Sequence, residues 1–131
     1  MILTPQAYFR LHGGQPRKRF GQHFLTQPAV ARRIVASADL RETDVVVEVG
    51  PGLGALTQFI AEQVKHLHLV ELDRDLAGYL TEAFASSACL VELHCQDVLT
   101  FDFAGLAQHS GERLVLLGNL PYNISSPLLF R

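Results

Sequence analysis

The sequence predicts an α/β fold, a doubly wound parallel sheet of about four strands with flanking helices. Three observations carry this expectation. Four short runs of Val and Leu read as strands buried on both faces, and segments of helical period separate them. Two of the runs open directly into turns, one glycine-rich and one Asn-Leu-Pro-Tyr, at the strand ends where such sheets place their ligands.

The elements follow in order. Residues 1–25 read as a basic, partly disordered leader, loosest over residues 1–16, where Pro and Gly are scattered without a period. From Thr26, an expected N-cap, Val30, Ile34, Val35 and Ala38 share one helical face. Val45–Val49 is the first strand, and Leu56, Phe59, Ile60 and Val64 then mark an amphipathic helix. A second strand is expected at Leu67–Leu72 and a second helix at Leu76, Leu80 and Phe84. A third strand follows at Leu90–Cys95, a shorter helix at Phe103–His109 and a fourth strand at Leu114–Leu120. Ser126-Pro127 has the form of an N-cap and first residue of a last helix. Four strands leave Leu114–Leu120 as an edge, although it is too apolar for one. Residues 26–131 therefore read as a truncated domain.

With 131 residues, 48% of them apolar, the chain supports one core and not two ordinary domains. No apolar run approaches the ~18 residues of a membrane span, and residues 1–6 lack the pattern of a secretory signal. Cys89 and Cys95 fall on one expected strand, roughly 20 Å apart and too far to pair there, which fits a reducing, cytoplasmic setting. The net charge of −2 hides an asymmetry: residues 1–38 carry +6 with no acid, and the remainder carries −8. A basic leader on an acidic body suits a polyanion at one edge and a cationic group elsewhere.

Glu48-Val49-Gly50-Pro51-Gly52-Leu53-Gly54 can form a tight strand-to-helix turn with close backbone approach to a ligand. Gly50-x-Gly52-x-x-Ala55, with Glu71 about twenty residues on, also satisfies a relaxed dinucleotide fingerprint. Three features favour S-adenosylmethionine over a nicotinamide dinucleotide. Glu48 disfavours a pyrophosphate but tolerates a sulfonium, Gly54 falls one residue early, and Asn119-Leu120-Pro121-Tyr122 has no role in hydride transfer. Glu71, in Val70-Glu71-Leu72-Asp73, can accept both ribose hydroxyls, while Asp73 is the better helix cap. Asp97 can accept from the cofactor's adenine amino group.

The tetrapeptide suits an exocyclic amine on a flat base. That nitrogen is a poor nucleophile because its lone pair is delocalised into the ring. The Asn119 side-chain oxygen and the Leu120 carbonyl can accept its N–H groups, with Pro121 fixing the backbone and Tyr122 stacking on a flipped base. In-line methyl transfer then needs positioning, with neither metal nor covalent nucleophile.

Together with Arg17-Lys18-Arg19-Phe20-Gly21-Gln22, Phe24-Leu25, Gln96-Asp97 and Gly118 to Ser125, these motifs resemble the ribosomal RNA adenine N6,N6-dimethyltransferase family, the kasugamycin-resistance methyltransferases, from about Arg17 to Arg131. The resemblance implies a Rossmann-like S-adenosylmethionine-dependent methyltransferase sheet. It also implies dimethylation of two adjacent adenosines near the 3′ end of small-subunit ribosomal RNA. Cofactor contacts would fall on His23, Leu25, Glu48, Gly50, Gly52, Glu71, Asp97 and Asn119, with Arg17, Lys18 and Arg19 along RNA phosphates. His23 stands where the family commonly has Asn. The implied partner is the immature small ribosomal subunit, the full-length enzyme a cytoplasmic monomer. Further strands, a later aromatic and a helical RNA-binding domain of the family are not among these residues, so a cofactor-binding but weakly active fragment is expected. The alternatives are a large-subunit adenine methyltransferase conferring macrolide resistance, a non-catalytic ribosome-assembly factor and a nicotinamide oxidoreductase.

Overall fold

The structure, a computed structural model, describes residues 27–118 and the backbone of residues 128–130. Helix α1 (Pro28–Ser37) leads into β1 (Val45–Val49), α2 (Thr57–Ala61), β2 (His66–Val70), α3 (Arg74–Ala83) and β3 (Leu90–His94). A 3₁₀ turn at Val98–Thr100 precedes α4 (Phe103–Ser110), β4 (Leu114–Gly118) and β5 (Leu128–Phe130). The strands form one sheet in the order β3-β2-β1-β4-β5, parallel except for β4 against β5. The order reverses at β1: the chain winds outward to β3, then crosses back to place β4 on the other side.

Alternation along the strands sorts the core into two layers. Val46, Leu67, Leu69 and Leu117 pack with Val35, Ile60 and Leu80 of the first three helices. Val47, Val49 and Val70 pack on the opposite face with Phe101, Phe103 and Leu106 from the segment around α4. The expected four-stranded parallel sheet with helices on both faces is therefore present. β1 is buried throughout, as its run of valines requires, whereas β3 is mostly accessible and serves as an edge.

The α4-side face changes character on β2 and β3. His66 and His68 on β2 stand beside Glu92 and His94 on β3, in parallel register. His68 is buried, and that burial pulls its imidazole down to about 4, so the ring is neutral at physiological pH.

At the entry of β1, Asp44 holds Arg113 in a two-pronged ion pair: Nε donates to Oδ1 at 2.9 Å and Nη2 to Oδ2 at 2.5 Å. This joins the entry of β4 to the entry of β1. The guanidinium holds the Asp44 carboxyl below its usual range.

The chain departs from the sequence reading at several boundaries. Leu128–Phe130 is a strand and not the start of a helix opening at Ser126-Pro127, because the open N–H and C=O groups of β4 take it up as an antiparallel partner. β4 is consequently an interior strand, which accounts for its apolar character. The N-cap of α1 is Gln27, which makes no side-chain cap hydrogen bond, with Pro28 supplying the first turn; Thr26 lies outside the described residues. β2 and β3 end at Val70 and His94, two and one residues before the expected ends. Residues 119–120 of the expected fourth strand lie outside the described residues. Cys89 and Cys95 flank β3 as free thiols, one buried and one exposed. No described helix is long and apolar enough to cross a membrane.

Candidate functional site

The site is built on the turn that leaves β1. Gly50, Gly52 and Gly54 all take positive φ, at 64°, 59° and 89°. A side-chain-bearing residue pays on the order of 1–2 kcal/mol for that conformation, which explains three glycines in five residues. Gly54 is also short of room, since a Cβ there would lie 3.2 Å from the Phe84 ring. The Gly50 N–H donates to the Val70 carbonyl at 3.0 Å, fastening the turn to the end of β2.

Glu71 leaves β2 at that point, 4% exposed. Its Oε1 accepts from the Gly52 N–H at 3.2 Å and its Oε2 from the Asp73 N–H at 3.0 Å. Burial pushes the carboxyl above its ordinary value, and the hydrogen bonds from backbone N–H groups oppose that rise. Asp73 caps α3, accepting from the N–H groups of Asp75 and Leu76 at 2.9 and 3.1 Å. Asp73 is thus the helix cap, as expected, and Glu71 is fastened to the glycine turn.

Glu48 points to the α2 side beneath the glycines, 2% exposed, and the Thr57 hydroxyl donates to its Oε1 at 2.5 Å. Burial raises it to about 8, the nearby Glu71 charge adds to the rise, and the Thr57 hydrogen bond acts against it. Two carboxyl groups therefore flank one turn, each raised by desolvation. A cation placed beside them offsets that cost, whereas a pyrophosphate adds to it.

Asp97 does not end β3, which stops at His94. Three residues later it caps the 3₁₀ turn, accepting from the Leu99 N–H at 2.9 Å. It leaves the sheet at the same end as Glu71 and the glycine turn. β1 and β4 finish level, Val49 opposite Gly118, and a Cβ on Gly118 would stand 3.1 Å from the Val49 carbonyl oxygen. The strand end from which Asn119 departs is thus level with the start of the glycine turn, at the point where the strand order reverses.

Of the residues expected to form the site, Glu48, Gly50, Gly52 and Glu71 come together and Asp97 leaves from the same end of the sheet. Arg17, Lys18, Arg19, His23, Leu25, Asn119, Leu120, Pro121 and Tyr122 lie outside the described residues. Thr57 was missed. Its signal was a hydroxyl at the first position of a short helix, nine positions after a strand acid. The donor set fits an adenosyl sulfonium cofactor: a buried carboxylate for a diol, a glycine turn for close approach, and a second carboxyl for positive charge.

Comparison with known proteins agrees. The family model for ribosomal RNA adenine dimethylase matches residues 13–131. Proteins called ribosomal RNA small subunit methyltransferase A are similar, the one from Nitrosococcus oceani being 52% identical over 118 residues, 90% of this chain and 44% of that protein. The Janthinobacterium protein of that name is 48% identical over 115 residues, 88% of this chain and 44% of its own length. The chain thus spans under half the length of these curated relatives. Among solved structures, a dimethyladenosine transferase from Plasmodium falciparum superposes with a TM-score of 0.56 at 17% identity, covering 70% of this chain and 42% of that one. The 23S rRNA methyltransferase ErmE gives a TM-score of 0.56 at 21% identity over 73% of this chain and 48% of its own. These two likenesses establish the methyltransferase fold. With a family match running from residue 13 to the last residue and relatives near half identical, the chain belongs to the ribosomal RNA adenine dimethylase family.

Proposed function

We propose that this chain is the cofactor-binding portion of an S-adenosylmethionine-dependent enzyme that dimethylates N6 of two adjacent adenosines near the 3′ end of small-subunit ribosomal RNA. The observation that carries the reading is Glu71, a buried carboxylate fastened to the glycine turn at the strand end, in a chain of this family.

Glu71 receives the two ribose hydroxyls, and the glycine backbone admits the rest of the cofactor without steric conflict. Glu48, below the turn, tolerates the positive charge of a sulfonium. When bound, the cofactor supplies an electrophilic methyl group on sulfur. Asp97 receives the adenine amino group, and His23 and Leu25 add further cofactor contacts. Asn119 and the Leu120 carbonyl accept the N–H groups of the target adenine, Pro121 sets their angle and Tyr122 stacks on the base. Arg17, Lys18 and Arg19 lie along RNA phosphates, contributing salt-dependent affinity. The substrate is the immature small subunit and the setting is the cytoplasm, with the full-length enzyme acting as a monomer. The 131 residues taken alone bind cofactor yet methylate far more slowly than a full-length relative.

Calorimetric titration of the chain with S-adenosylmethionine, paired with labelled methyl transfer to immature small subunits, tests the reading. One cofactor per chain, with transfer well below that of a full-length relative, supports it. Absence of cofactor binding overturns it, and tight binding of a reduced nicotinamide dinucleotide instead would return the dinucleotide reading.

A further inference from the structure

The side chains on the α4-side face of β2 and β3 are not explained by the cofactor site. His66 Nε2, His68 Nε2 and a Glu92 carboxylate oxygen all lie within 4.8 Å of one another. His66 Nε2 is in direct contact with Glu92 Oε2, and His68 Nε2 is 3.6 Å from the same oxygen, beyond hydrogen-bond reach. His68 Nε2 is buried without a hydrogen-bond partner, and the His68 side chain is only 6% exposed. A buried polar nitrogen in that condition is costly and calls for a partner.

We propose that His66, His68 and Glu92 form a binding site for one divalent transition-metal ion of the zinc class, joining β2 to the edge strand β3. Two imidazoles and one carboxylate are a donor set that zinc accepts, with a fourth position left for water. Magnesium and calcium, which prefer all-oxygen shells, fit it poorly. His94 supplies the outer support. Its Nε2 lies 2.9 Å from His68 Nδ1, and a proton on Nδ1 donated to His94 leaves the His68 Nε2 lone pair directed at the ion. The Phe101 ring packs edge-on against His94 with centroids 4.9 Å apart, holding that ring in place. Entry is open on the other side, because the His66 and Glu92 side chains are 34% and 46% exposed.

The position indicates a structural role. His66 opens β2, His68 is its middle residue and Glu71 follows its last residue, so the ligands on β2 stand roughly 10–16 Å from Glu71 at ~3.3 Å per residue. Among the described residues β3 pairs with β2 alone, and a shared ion ties it down. The sequence reading assigned no metal, because the ligands come from two strands and meet only through the β2–β3 register.

The test uses the whole chain without a histidine tag. Zn²⁺ is titrated by calorimetry, Co²⁺ by its visible tetrahedral absorption, and Mg²⁺ as the contrasting ion. Variants His66→Ala and Glu92→Gln change accessible side chains, and circular dichroism confirms that each is folded. One Zn²⁺ per chain, a tetrahedral Co²⁺ spectrum, no competition by Mg²⁺ and at least a tenfold loss of Zn²⁺ affinity in each variant support the site. Zn²⁺ binding that survives unchanged in both folded variants places the ion elsewhere, for example on Cys95 or His109, and overturns it. Failure of the unsubstituted chain to bind Zn²⁺ also overturns it.

Discussion

The Thr57 hydroxyl donates to Glu48 Oε1 across 2.5 Å, linking the first residue of α2 to the strand that leads into the glycine turn. The turn therefore rests on a hydrogen bond between its two flanking elements, both buried at that point.

Replacing Thr57 with Val keeps the shape and removes the donor. Glu48 then stays buried without its partner, a loss of about 1–3 kcal/mol. Urea denaturation should show a lower midpoint at unchanged slope, and an unchanged midpoint would mean the bond contributes nothing net.

Glu48 also sets a pH dependence. Its folded value of about 8 lies above the ordinary 4.5, so the unfolded chain gives up this proton first. Its contribution to stability is fully present below 4.5 and is lost as pH rises toward 8. Glu48→Gln, neutral at every pH, should make the cofactor-free chain more stable than the original at pH 8 and change it little at pH 4.5. Melting temperatures of both chains across that range decide the matter. Parallel curves would show that Glu48 does not titrate as placed.

Glu71→Gln keeps an oxygen able to accept from the Gly52 N–H but removes the charge. The hydrogen bonds to a ribose diol then lose their charge assistance, which lowers cofactor affinity on the order of 10- to 100-fold. Calorimetry with S-adenosylhomocysteine measures this directly. An affinity within twofold of the original would remove Glu71 from the site.

Gly54→Ala meets both a positive φ and the Phe84 ring, for a combined cost of about 2–4 kcal/mol. Gly78, inside α3, is the contrasting case, since a Cβ there would meet nothing within 4 Å. There, Gly78→Ala should stabilise by about 0.5–1 kcal/mol. Equal effects at the two positions would contradict the described turn.

Much of this was legible in the residues. Three consecutive valines before a glycine turn leave few alternatives to a central parallel strand, and β1 is just that. Asp73 was readable as a cap because it precedes a helical run. The place of Glu71 near the glycine turn was readable because it follows a strand at the dinucleotide spacing. What escaped depended on pairing across the sheet. The strand at Leu128–Phe130 follows a Ser-Pro that locally resembles a helix start, and only the vacant side of β4 decides otherwise. Asp44 and Arg113 are 69 residues apart and meet only once β1 and β4 are in register. His66-x-His68 and Glu92-x-His94 each pass for alternating strand residues until β2 and β3 lie side by side.

The place of β1 between β2 and β4 bears on the order in which the protein matures. As the polypeptide emerges from the ribosome, β1, β2 and β3 are available to pair early through single-helix crossovers. The β1–β4 seam must wait for a far more distant segment, closed off by the Asp44–Arg113 clasp. One bank of the crevice is thus laid down during synthesis and the facing bank arrives last, so a nascent chain stalled before β4 exposes the unpaired flank of its central strand.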